Sequence, residues 1–150
     1  MRRESGFTLL ELVVVIGIVG VLAAMAVPTY QTWRQRAYGS EASIMMKQIM
    51  DGQIMYYLEN DAFFPAAGST VIIPSHTPLT AQEQHWVDQI KNALKVTIPP
   101  AHRLEYTIIN YGAQCNVMIS AAGLPIFKGG DKEYHGHLKK DGNITLFTGG

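Results

Sequence analysis

The sequence predicts an α+β chain. A long, kinked amino-terminal helix, half membrane span and half amphipathic, packs its back half on a small antiparallel sheet of three or four strands. A short extra helix lies near 80–96. Three observations carry this reading. Residues 7–27 form one apolar run. From Tyr38 to Tyr57 apolar residues recur at helical spacing. After Pro99-Pro100 the pattern turns to β-branched and aromatic alternation broken by turn residues. At 150 residues and 16.6 kDa, there is room for one domain with an appendage. Charged residues make up 16%, against about 25% in ordinary soluble domains. Twelve basic side chains balance twelve acidic ones, which argues against a general nucleic-acid binder. The abundance of apolar residues, 47%, argues against disorder. The single Cys115 excludes an intramolecular disulfide and a cysteine-only zinc cluster.

The apolar excess sits at the front. Phe7 to Val27 carries one charge, Glu11. As a helix at about 1.5 Å per residue it spans roughly 30 Å, the thickness of a bilayer's hydrocarbon core. Arg2 and Arg3 precede it and favour a cytoplasmic amino terminus, although Arg34 and Arg36 follow it. Three readings fit the segment. One is a secretory signal peptide, with Arg2-Arg3 as basic region and Ala24-Met25-Ala26 as a small-x-small cleavage site. The second is a plain transmembrane anchor.

The third comes from resemblance. Gly6-Phe7-Thr8-Leu9-Leu10-Glu11 resembles the prepilin cleavage and methylation motif of type IV pilins and pilin-like pseudopilins. The likeness covers about the first 60 residues, from the short basic leader through the apolar run to Pro28 and the helix beyond. It implies that a prepilin peptidase cuts between Gly6 and Phe7 on the cytoplasmic face and N-methylates Phe7. It implies too that the apolar segment is kept. In such a chain Glu11 meets the Phe7 amine of a neighbouring subunit in the filament core. The expected partners are further copies of the chain, the prepilin peptidase and the inner-membrane assembly machinery. The expected location is a single-pass inner-membrane precursor, then a surface pilus or a periplasmic pseudopilus. The boundaries that follow are 1–6 leader, 7–28 transmembrane and assembly helix, and 29–150 head, including the back half of the helix.

The residues allow a separate physical reading. A carboxylate at mid-bilayer costs roughly 2.5–3.5 kcal/mol and less near the interface, so Glu11 needs a partner or a route to water. Cleavage at Gly6 would place a new amine one helical turn away. A pair within the chain is then possible, and snorkelling to the interface is the plainer alternative. Pro28 lacks the amide that would bond Ala24 and crowds that carbonyl. With Gly17 and Gly20 upstream, the segment to Pro28 can straighten or stretch on leaving the bilayer, or it is a passive kink.

Beyond Pro28, Tyr38, Ala42, Met45, Ile49, Gly52 and Tyr56 fall on one helical face, widened by Met46, Met50, Ile54 and Tyr57. That stripe is expected to cover a sheet, and the helix to end near 57–60, before Pro65. Residues 60–79 contain Pro65, Gly68, Pro74 and Pro78 and read as a connector. Thr80-Ala81-Gln82-Glu83 matches a capping box. Trp86, Ile90, Ala93 and Leu94 continue that helix to about Val96. Strands are expected over 104–111, 115–121, 135–139 and 143–148, with turns at Gly112-Ala113 and Asp141-Gly142.

Catalytic patterns are weak, and an enzyme is not expected. His135 and His137 share one strand face, with Asp131 and Glu133 close in sequence. They are weak metal candidates, because no third firm ligand has metal-site spacing. Related pseudopilins carry a calcium loop near the carboxyl end, and this chain lacks a matching run of acids. No cofactor is expected, calcium being the one candidate. Cys115 in a strand reads as a small buried hydrophobe. Phe7, Tyr30, Trp33, Tyr38, Tyr57 and Phe63 have a spacing that resembles short pilins proposed to conduct electrons; packing is the simpler reading. A pilin's usual carboxyl-terminal disulfide cannot form with Cys115 alone. That, with the sequence Tyr57 to Asp61 and Phe64-Pro65 at the helix exit, keeps the type II secretion pseudopilin as an alternative.

Overall fold

A computed structural model describes residues 8–99, 102–121, 123–127 and 129–150. The chain divides into two compact units, one ending at Arg34 and the other beginning at Gln35. The first helix, α1, runs Leu9–Asn60, 52 residues, and so enters both. Its start is capped by Thr8, whose hydroxyl accepts the Glu11 amide at 3.2 Å. The helix is unbroken across Pro28. Hydroxyls donate to nearby helix carbonyls on both sides of the proline: Thr29 to Met25 at 3.0 Å and Thr32 to Pro28 at 3.1 Å.

In the second unit the residues of α1 that become buried begin at Gly39. They include Ala42, Met45, Met46, Ile49, Met50 and Gly52, much of the stripe expected from spacing. The stripe covers a five-stranded antiparallel sheet with strand order β1-β2-β3-β4-β5. The strands are β1 (Thr70–Ile73), β2 (Leu104–Asn110), β3 (Gln114–Ala121), β4 (Glu133–Lys139) and β5 (Ile144–Gly149). The expectation of three or four strands is corrected to five. The added strand is β1, which lies inside the segment read as a proline-rich connector. Only four residues long, it pairs Thr70 with Ile109 and Ile73 with Tyr106. Its alternation shows in burial, with Val71 and Ile73 turned to the core. A run this short between prolines gains its identity from the partner strand.

Register places the core side chains in rows. Ile108 of β2 lies opposite Val117 of β3, which faces Gly136 of β4, which faces Leu146 of β5. At Gly136 the side chains of Met46 and Met50 from α1 reach that row. A Cβ there would lie 2.6 Å from the Met46 sulfur, so a side chain at this position would require the methionine ends to shift.

The second helix, α2 (Ala81–Leu94), carries the expected capping box. Thr80 Oγ1 accepts the Glu83 amide, and Glu83 Oε2 accepts the Thr80 amide at 2.7 Å. It ends two residues before the expected Val96, at the left-handed Lys95. Ile90 and Leu94 are buried in the same core as the sheet and α1.

Two buried amides guide the chain from helix to sheet. Gln53, fully buried, donates to the Phe64 carbonyl at 2.6 Å and accepts the Phe64 amide at 3.0 Å. Asn110 donates to the carbonyls of Phe63 and Pro65, both at 2.7 Å, and accepts the Gly112 amide at 2.7 Å. Each side chain meets backbone groups that would otherwise be buried without partners.

Candidate functional site

The candidate site is the amino-terminal segment. Between Leu9 and Val27 the large apolar side chains are exposed, from 47% at Val15 to 82% at Leu9. This part of α1 is apolar all round, and such a helix is stable only inside lipid or against other apolar surfaces. Among the described residues it is the one helix long and apolar enough to cross a membrane.

Glu11 lies in the first turn of α1 and is exposed, the only acid of that turn. Its side chain therefore stands within the apolar stretch, near the end where the helix dipole favours negative charge. Gly6 and Phe7, the expected cleavage and methylation residues, lie outside the described residues. Thr8 was not singled out from sequence. The Thr8-Leu9-Leu10-Glu11 spacing was its signal, a threonine three residues before an acid at the start of an apolar run. Pro28 lies within α1 and is exposed.

The weaker metal candidates are arranged differently. His135 and His137 lie on the same face of β4, and both contact Phe147 of β5. The His135 ring stacks on Phe147 at 4.9 Å and 9°, and His137 meets it edge-on at 5.0 Å and 87°. Glu133 Oε2 lies 3.0 Å from His135 Nε2. Asp131 is taken up by the Thr148 hydroxyl. Among the described residues, no group of three or more His, Cys, Asp or Glu side chains is placed to hold a metal ion. The ring contacts describe a packed sheet face.

Cys115 is buried in β3, its thiol directed at the Phe64 carbonyl at 3.8 Å. Burial pushes its pKa up to about 12, so it carries little thiolate. Of the aromatics along the helix, Tyr57 stacks on Phe63 at 4.7 Å, closing the helix exit, whereas Tyr30 and Trp33 are exposed.

Residues 1–27 match the family model described as the prokaryotic N-terminal methylation motif. The relatives point the same way. The chain is 36% identical over 91 residues to a fimbrial protein of Neisseria meningitidis serogroup A, covering 61% of this chain and 52% of that one. It is 35% identical over 88 residues to the type IV major pilin protein PilE of Neisseria gonorrhoeae, covering 59% and 50%. It is 35% identical over 72 residues to the type IV major pilin protein PilA of Myxococcus xanthus, covering 48% and 33%. The chain thus spans about half the length of the Neisseria relatives and a third of the Myxococcus one. The resemblance to type IV pilins read from Gly6 to Glu11 stands on these findings as well.

Proposed function

We propose that this chain is a structural subunit of a type IV pilus. It enters the inner membrane as a single-pass precursor held by the apolar part of α1. Prepilin peptidase removes residues 1–6 and methylates the Phe7 amine. The inner-membrane assembly machinery then moves the subunit into a fibre, where the same apolar surface packs against copies of itself. Glu11 of an incoming subunit pairs with the Phe7 amine of a neighbour. In an apolar surround that pair is strong when made, and either charge left alone is costly, so pairing sets the depth at which a subunit docks.

The observation that carries this reading is the exposed apolar front of α1, which lies within the segment that matches the methylation motif. A helix of that kind has no solvent of its own outside lipid, so its transfer into a fibre requires matching apolar helices. The relatives are named as fimbrial proteins and major pilins, which favours a pilus over a secretion pseudopilus. The reading makes the chain a building element, with no catalytic role.

Glu11→Val tests it. In cells lacking the wild-type chain, the variant is expected to insert in the membrane and to give few or no fibres by electron microscopy, because the partner of the amine is gone. Intact-mass measurement of wild-type protein from the membrane fraction should show loss of residues 1–6 and one methyl group on Phe7. Normal fibre yield from Glu11→Val would remove its docking role. A mature chain beginning at Val27 would establish a cleaved signal peptide and end the pilus reading.

A further inference from the structure

The head carries exposed acidic and basic side chains on two separate features, each without an ion-pair partner among the described residues. A groove of about 620 Å³ runs along α1 beside the end of α2. Its floor includes Gly52 and Leu94, which are buried, and Met55 and Tyr56 form part of its wall. Asp51 and Glu59 are exposed on its rim. They lie eight residues apart, about 12 Å along the helix, enough for a tight turn to sit between them. The last carbonyls of α2 add the negative end of a helix dipole. One cation, Lys95, also lines the groove, and its ammonium is drawn back onto the Asn92 carbonyl at 2.6 Å.

The β4–β5 turn is the second feature. Lys139 and Lys140 are exposed there. The turn is tightly held: the Lys139 amide donates to Asn143 O, the Gly142 amide to Lys139 O, and the Asn143 amide to Asp141 Oδ1 at 2.9 Å. Asp141 is thereby engaged inside the turn, and the lysines remain to face outward. None of Asp51, Glu59, Lys139 and Lys140 has an ion-pair partner among the described residues.

The two features form no ion pair with one another within one chain, among the described residues. The groove is lined by α1 and the end of α2, and the turn joins β4 to β5. A contact between different patches on two copies is heterologous and repeats without closing, which is the kind that extends a fibre.

We propose that Lys139 and Lys140 at the β4–β5 turn of one copy dock into the Asp51–Glu59 groove of a second copy. The proposal rests on the filament reading and adds a head-to-head contact to the one made by the stems. Two exposed pairs are weak alone, and the fibre repeats them at every subunit.

The test uses the full-length chain in cells. A chain carrying both Glu59→Cys and Lys140→Cys is assembled, and the sheared fibres are oxidised with copper phenanthroline. Non-reducing electrophoresis should show a ladder of covalent oligomers, because every copy carries both halves of the contact. Each single variant should run without a ladder, since the native Cys115 is buried. A charge exchange tests the same contact without cysteine. Lys139→Glu with Lys140→Glu should lower fibre-incorporated subunit about fivefold, the effect of two exposed ion pairs. Adding Asp51→Lys and Glu59→Lys should restore it. Fibres that form with no ladder, together with a charge reversal that changes nothing, would overturn the contact and leave the filament reading standing. Absence of fibres from the wild-type chain would overturn both.

Discussion

At position 52 a single methyl group decides how closely α1 and the end of α2 can approach. A Cβ on Gly52 would lie 2.5 Å from the Leu94 carbonyl oxygen and 2.9 Å from the Leu94 Cβ. Backbone cannot swing aside, so one helix must shift. At Gly136 the nearest atoms are the Met46 sulfur at 2.6 Å, a Leu146 methyl at 3.2 Å and the Met50 methyl at 3.3 Å. These are the ends of side chains, and methionine adapts readily. We therefore expect Gly52→Ala to cost about 1–3 kcal/mol, the usual range for overpacking, and Gly136→Ala to cost less. Urea unfolding of the two variants in detergent, followed by tryptophan fluorescence, checks the order. A larger loss at Gly136 would mean that the sheet, and not the end of α2, limits the position of the helix.

At the scale of elements, α2 depends on its first turn. Thr80 and Glu83 each satisfy the other's backbone amide. Thr80→Ala should cost about 0.5–2 kcal/mol, the usual range for a lost N-cap. The Glu83 carboxyl is held below the usual carboxylate range, chiefly by the hydrogen bond from the Thr80 amide, with His76 adding to it and desolvation opposing it. A lowered native pKa gives stability that is present above the ordinary glutamate range and is lost as the pH falls through the lowered value. Hydrogen exchange of the 81–94 amides should accordingly quicken as the medium is acidified through that window. In Glu83→Gln, which can still cap but cannot titrate, this acid-dependent part should vanish. An unchanged acid response in Glu83→Gln would assign it to another group.

The whole molecule separates a stem with no head core from a head that needs half of its helix. No residue of α1 before Gly39 is among its buried ones. A chain starting at Tyr30 should therefore be soluble and monomeric by gel filtration, with the sheet and α2 folded by circular dichroism. Removing everything before Asn60 also removes Met45, Met46, Ile49 and Met50 from the core, and Gln53 from the Phe64 backbone. The sheet face they covered would be exposed, so this shorter chain should aggregate or unfold. Neither chain should polymerise, because both lack the apolar stem. Fibres from the Tyr30 chain at low concentration would make the head the main assembly surface.

The features readable from sequence are those encoded in short windows. Helical spacing from Tyr38 to Tyr57 marked the buried face of α1, Thr80-x-x-Glu83 marked the start of α2, and Asp141-Gly142 marked the last hairpin. Each depends on neighbours within a turn or two, so the chain's local chemistry carries it. The methylation motif is local in the same way, which is why the candidate site at Glu11 was legible without any coordinates. The rest was decided by contacts between distant residues. Residues 70–73 carry too little pattern to declare a strand and become one because β2 offers a paired edge. Gln53 and Asn110 look like surface amides, and they are buried because the Phe63 to Pro65 backbone needs partners 11 to 47 residues away. The Asp51–Glu59 groove exists only because the end of α2 comes to rest beside Gly52. Burial makes an unpaired polar group costly, and that cost is felt only after the chain has closed on itself.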